Sequence, residues 1–107
     1  MHDVAYQYWK QLGRQGGPSD CVPMAIAMVE CISFEQAKHA CELFEPGGEG
    51  RGYHNDCLQL AVGRLLTKTT KAPTRGYAVY PGHIAPVIDR RIYRDPRHRG
   101  QLQYFLV

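Results

Sequence analysis

The feature that most constrains the fold of this chain is a change of pattern at Leu66. Before it the sequence follows helical spacing broken by glycine and proline. After it come short β-branched and aromatic pieces: LLTKTT, RGYAVYPG, GHIAPVID, RRIYRD and QLQYFLV. Runs of this kind, bounded by turn residues, are strand signals. Helices first and strands second specify an α+β domain, with N-terminal helices packed on a small C-terminal antiparallel sheet. A chain of 107 residues has room for a single domain, residues 1–107, and no internal repeat or linker divides it.

Within the helical part, VAYQYWKQL (4–12) is apolar and aromatic without a clean period, so either a short helix or a strand fits. RQGGPSD reads as a loop. Ser19 or Asp20 is placed to cap a helix that Cys21 begins and that ends near Cys31, and Pro23 suits a first turn, where its missing N–H has no partner to lose. Ser33 followed by Gln36 has capping-box spacing, and Phe34, Ala37, Cys41 and Phe44 then share a face of a helix that stops before Pro46. The glycine-rich EPGGEGRGYHND predicts a flexible connection or cleft rim. Asn55 or Asp56 caps the next helix, which covers Cys57, Leu58, Leu60, Ala61, Leu65 and Leu66.

Hydrophobic residues make up 44% and charged residues 21%, an ordinary soluble balance that argues against disorder. No apolar stretch nears the roughly 20 residues that span a bilayer, and MHDVAYQYWKQ has no leader pattern, so the expected compartment is the cytoplasm. Charge divides unevenly: residues 1–60 carry four Lys/Arg against eight Asp/Glu, and residues 61–107 carry nine against two. The segment RRIYRDPRHR holds five arginines between Arg90 and Arg99, a patch that can attract nucleic acid or an acidic peptide. It contains one aromatic and no reading helix, which argues against nucleic acid. Cys21, Cys31, Cys41 and Cys57 form no C-x-x-C pair and lack zinc-site spacing, so no metal or cofactor is called for; Cys31, Cys41 and Cys57 read as buried thiols within helices.

Cys21 is different because of where it falls. A thiol in the first turn of a helix meets unpaired backbone N–H groups and the positive end of the helix dipole, which favour thiolate. Downstream, a hairpin with its turn over Ile88–Arg90 pairs residues whose numbers sum to 178, which sets His83 opposite Asp95; a two-residue turn shifts the pairing by one. In that arrangement Cys21 is the nucleophile, His83 handles the thiol proton and Asp95 orients the imidazole. Gln15 precedes the loop that returns to Cys21, so its amide, with the Cys21 backbone N–H, can meet the oxygen that becomes negative in acyl transfer.

The string QGGPSDCVPMAIAM, with Gln15 six residues before Cys21, followed by GHIAPVIDRRIYRDP with His83 and Asp95, resembles the papain-like cysteine peptidase fold. The likeness is greatest to the bacteriocin-leader type and its small bacterial and phage relatives, and covers roughly residues 15–96. It implies an oxyanion-hole glutamine at Gln15, a nucleophile at Cys21, a general base at His83 and an orienting partner at Asp95. The implied activity is cleavage of an amide or peptide bond through a thioester, with a peptide or protein as substrate.

Rival assignments are weaker. Asp89 competes with Asp95 but sits at the hairpin tip, and Gln11 stands at the wrong separation from Cys21. His54 and Cys57 lack supporting ligands, and GGEGRG lacks the Lys-Ser/Thr of a phosphate loop. Pro86 predicts an edge position or a bulge in the strand that His83 starts. Two other classes of function stay open: a catalytically silent papain-like domain that binds a peptide or protein, and a basic nucleic-acid-associated domain.

Overall fold

A helix buried on all sides organises the molecule. In the computed structural model, which describes residues 2–17, 19–48, 50–94 and 98–107, four helices precede five strands: α1 His2–Gln15, α2 Cys21–Glu30, α3 Phe34–Phe44, α4 Asn55–Val62, β1 Lys68–Thr69, β2 Arg75–Tyr80, β3 His83–Ile88, β4 Arg91–Ile92 and β5 Tyr104–Leu106. The α+β order is thus as expected. Helix α2 buries Val22, Pro23 and every residue from Ala25 to Val29, because it packs on β3 and β2 on one side and on α1, α3 and α4 on the others. A helix apolar around its whole circumference is a central helix.

The N-terminal segment resolves to helix α1, and its period is visible once its inner face is known. Ala5, Tyr8, Trp9 and Leu12 fall at i, i+3, i+4 and i+7 and contact the core, with Leu12 fully buried. Helix α3 has the expected capping box: Ser33 Oγ accepts from Gln36 N–H at 3.1 Å, and Gln36 Oε1 accepts from Ser33 N–H at 3.1 Å. Ser33→Ala should therefore cost about 1 kcal/mol of stability, measurable as a shift of the urea midpoint at unchanged slope. Phe34, Ala37 and Cys41 are buried, but Phe44 turns outward and is half exposed. Helix α4 ends at Val62, where Gly63 adopts a left-handed φ of 75°. Leu65 is therefore exposed, and Leu66 enters the core from outside the helix. Residue His54, not Asn55, holds the N-cap position of α4, with no side-chain bond to the helix.

The five strands form one antiparallel sheet in the order β1-β5-β2-β3-β4. Side chains alternate across it. Tyr77, Val79, Ile84 and Ile88 join the helix-facing core, whereas Ala78, Tyr80, Ala85, Val87 and Phe105 form a second cluster on the other face. Tyr77 brings its hydroxyl into the core and satisfies it on Glu30 Oε2 at 2.7 Å; Arg64 grips the same carboxylate.

Pro86 lies within β3, a strand paired on both sides, and not at an edge or bulge. Its carbonyl accepts from Tyr93 N–H at 2.9 Å, so its nitrogen faces the β4 side. There the ladder is already ending, and the absent N–H costs little.

Candidate functional site

Helix α2 and strand β3 begin with two of the sequence-predicted residues, Cys21 and His83. Asp20 occupies the N-cap position of α2, but its carboxylate does not cap. Oδ2 instead accepts from Gly17 N–H at 2.8 Å and from Lys38 Nζ at 3.5 Å, folding the loop before the helix. The backbone N–H groups of Cys21 and Val22 are thereby left to face the Cys21 sulfur, and the N–H of Ile84, the second residue of β3, joins them. The thiol therefore sits at the start of β3, next in sequence to His83.

The electrostatic balance differs from the sequence expectation. Burial pushes the Cys21 thiol up from its ordinary value and outweighs the three backbone N–H groups that pull it down. The helix terminus alone does not make this residue a thiolate; a cationic partner has to supply the rest.

His83 is buried and stands directly opposite Tyr80 on the hairpin. Strand alternation places it with Ala85 and Val87 on the sheet face away from α2, where its ring stacks on His98 with centroids 4.2 Å apart. Among the described residues no hydrogen bond joins Cys21 to His83, although the main chain between His83 and Ile84 lies against the sulfur. Gln15 is the last residue of α1 and is exposed, ahead of the loop that returns to Cys21.

Asp95 lies outside the described residues. The turn that leads toward it has two residues, not three: Asp89 and Arg90 adopt φ of 52° and 64°, and Ile88 pairs with Arg91. Facing residue numbers therefore sum to 179, which is the shifted register, and it follows from two consecutive left-handed residues of the primed-turn type.

The glycine-rich connection between α3 and α4 is tied down rather than loose. Arg51 donates to Gly47 and Pro46 carbonyls, Glu45 receives the His54 N–H, and the Tyr53 hydroxyl bonds to Glu42. A Cβ at Gly48 would lie 2.3 Å from the Tyr53 ring, so only glycine fits beneath it. This loop borders a cavity of about 650 Å³ whose lining includes Arg51, Tyr53, His54, Asp56 and Gly82, the residue before His83. The cavity reaches the turn before β3 through Gly82, and sequence reasoning saw its loop only as a connection or cleft rim.

The remaining thiols divide sharply. Cys41 and Cys57 are buried in helices α3 and α4, and burial raises both. Cys31 is exposed, at the left-handed C-cap of α2, with φ of 58°. Its Sγ accepts from Arg75 Nη2 at 2.8 Å, while Arg75 also bonds the Val29 and Met28 carbonyls that end the helix. In native protein at neutral pH, Cys31 should react with iodoacetamide at least about tenfold faster than Cys41 or Cys57, as peptide mapping of partial digests will show.

Two arginines of the basic segment serve packing. Arg91 lies over the Tyr6 and Tyr93 rings and Arg94 over Tyr80. Among the described residues no three His, Cys, Asp or Glu converge as metal ligands, and no helix is long and apolar enough to cross a membrane. No protein-family model, curated protein or solved structure matches the chain.

Proposed function

We propose that this chain is a small papain-like thiol hydrolase that opens an amide, most simply a peptide bond, through a thioester on Cys21. The observation that supports this reading is the placement of the Cys21 sulfur among the N–H groups of Cys21, Val22 and Ile84, beside His83 in the chain. In the proposed cycle the thiol yields its proton to His83, the sulfur attacks the carbonyl carbon, and the oxygen gains negative charge. The Cys21 N–H and the exposed amide of Gln15 receive that charge, a donor of this kind being worth about 3 kcal/mol. Collapse breaks the C–N bond, His83 returns the proton to the departing amine, and water then releases the acyl group. Asp95 is assigned to orient His83, and the cavity beside Gly82 to accept the peptide.

A second reading, a silent domain of the same fold that holds a peptide without cutting it, is favoured by the upward shift of the Cys21 thiol and by the position of His83 on the outer sheet face. Alkylation of Cys21 separates the two. With Cys31 replaced by serine to remove the competing exposed thiol, fast labelling of Cys21 at pH 7 that depends on His83 supports the hydrolase. Slow labelling equal to that of Cys41 and Cys57 supports the silent domain.

A further inference from the structure

The carboxylate that precedes the candidate nucleophile does not serve its own helix. Asp20 holds the N-cap position of α2, its carbonyl accepting the Met24 N–H at 3.0 Å. A carboxylate there ordinarily accepts from the second or third helical residue, but the third is Pro23, which has no N–H to give. Asp20 is 5% exposed, and its side chain turns back along the chain instead. Gly17 and Asp20 are joined twice: the Gly17 N–H donates to Oδ2 at 2.8 Å, and the Asp20 N–H donates to the Gly17 carbonyl at 3.1 Å. Lys38 reaches the same carboxylate oxygen from α3 at 3.5 Å. One residue earlier, the Gly16 N–H donates to the Leu12 carbonyl at 2.9 Å, and a Cβ at Gly16 would stand 2.7 Å from Met24 Sδ. The main chain that follows Gln15 is therefore fastened to α1, to α2 and, through Asp20, to α3.

We infer that Asp20 is a positioning residue: it holds the connection after Gln15 against the start of α2, so that the Gln15 amide and the Cys21 N–H keep a fixed separation at the oxyanion. The oxyanion role rests on the hydrolase reading; the hold on Gly17 rests on the geometry. Activation of the thiol is not what Asp20 supplies, since its negative charge beside Cys21 pushes the thiol up rather than down. Its contribution is order. Donors already aimed at a developing charge need no rearrangement while the reaction proceeds. A carboxylate this deeply buried requires a counter-charge, which Lys38 provides. Loss of Asp20 should therefore ease ionisation of the thiol and loosen the oxyanion donors, two effects of opposite sign.

The test compares two reactions of the full chain in the Cys31→Ser background, each followed at Cys21 by peptide mapping. Alkylation by iodoacetamide displaces iodide at a saturated carbon and builds no oxyanion. Acylation by p-nitrophenyl acetate builds one before p-nitrophenolate leaves. In Asp20→Ala, alkylation at pH 7 should hold or rise by up to about threefold, whereas acylation should fall about tenfold. Asp20→Asn keeps an oxygen for the Gly17 N–H and should bring acylation back to within about threefold of the Asp20 protein. Gln15→Ala should lower acylation at least as far, and adding Asp20→Ala to it should lower acylation by no more than about twofold further. Hydrogen exchange of the Gly17 amide, at least about tenfold faster in Asp20→Ala, reads the hold directly. Asp20→Gly, a mild change at an N-cap, replaces the alanine variant if that one does not fold. Unchanged Gly17 exchange, or acylation and alkylation falling together, would overturn the inference. If Cys21 of the Asp20 protein shows no His83-dependent labelling, the hydrolase reading fails, and Gly17 exchange still decides whether Asp20 holds the chain.

Discussion

Replacing His83 by glutamine in the Cys31→Ser background should slow alkylation of Cys21 at pH 7 by about thirty-fold or more. Even an unperturbed thiol, with a pKa near 8.5, is only about 3% thiolate at that pH. Burial moves Cys21 further in the same direction. In the proposed pair a proton held on His83 makes the thiolate abundant, so removing the imidazole removes nearly all of it. The pH profile carries the sign. With the ion pair, the rate should rise at acid pH and level off through neutrality. Without it, the rate should climb about tenfold per unit from pH 6 to 9 with no plateau, because a raised thiol pKa puts the titration above that window. Identical profiles with and without His83 would refute the proposed nucleophile–base pair.

Ile26→Ala should cost about 2–5 kcal/mol and lower the melting temperature by about 10–25 °C. Ile26 is 1% exposed in the helix that all the other helices and the sheet rest on. Truncating it loses transfer free energy, and the cavity left between a helix and a sheet cannot easily close. Val4→Ala, at a site 73% exposed, should change stability by no more than about 0.5 kcal/mol. Thermal unfolding followed by circular dichroism measures both, and a loss under about 1 kcal/mol for Ile26→Ala would show that α2 is not the keystone of the fold.

Much of the fold was legible because several signals were local. The Ser33-to-Gln36 box, Pro23 in a first turn and the β-branched runs beyond Leu66 each depend on neighbours within a few residues, and each appears where the residues put it. The misreadings share a different origin. The period of α1 was hidden because polar residues interrupt its aromatic face, and only contact with the core shows which face matters. Cys31 was read as buried because nothing nearby announces that a cysteine will take the left-handed cap that glycine usually fills. The glycine-rich connection looked loose because its restraints come from Tyr53, Glu42 and Glu45, side chains whose roles a linear reading does not reveal.

At the candidate site the geometry departs from the sequence reading. The Cys21 sulfur meets the N–H of Ile84, the second residue of β3. The sequence could not foretell that burial would outweigh the helix terminus at the sulfur, since that depends on how tightly α2 lies on β3. Nor could it choose between a two-residue and a three-residue turn, because Asp89-Arg90 lacks the glycine that usually marks a primed turn. His98 escaped notice for a related reason. It sits among arginines in a segment read for its charge, and nothing in the linear order ties it to His83.

The position of β5 between β1 and β2 bears on how the molecule is made. Strand β1 has β5 as its sheet neighbour, so Lys68 and Thr69 wait for Phe105 and Leu106 before they acquire their cross-strand partners. During vectorial synthesis the helices and the β2–β3 hairpin can assemble as they leave the ribosome, while one flank of β2 stays open. Closure of that flank is a late event, and until residues 104–106 emerge the nascent domain exposes a strand edge for which a neighbouring chain could compete.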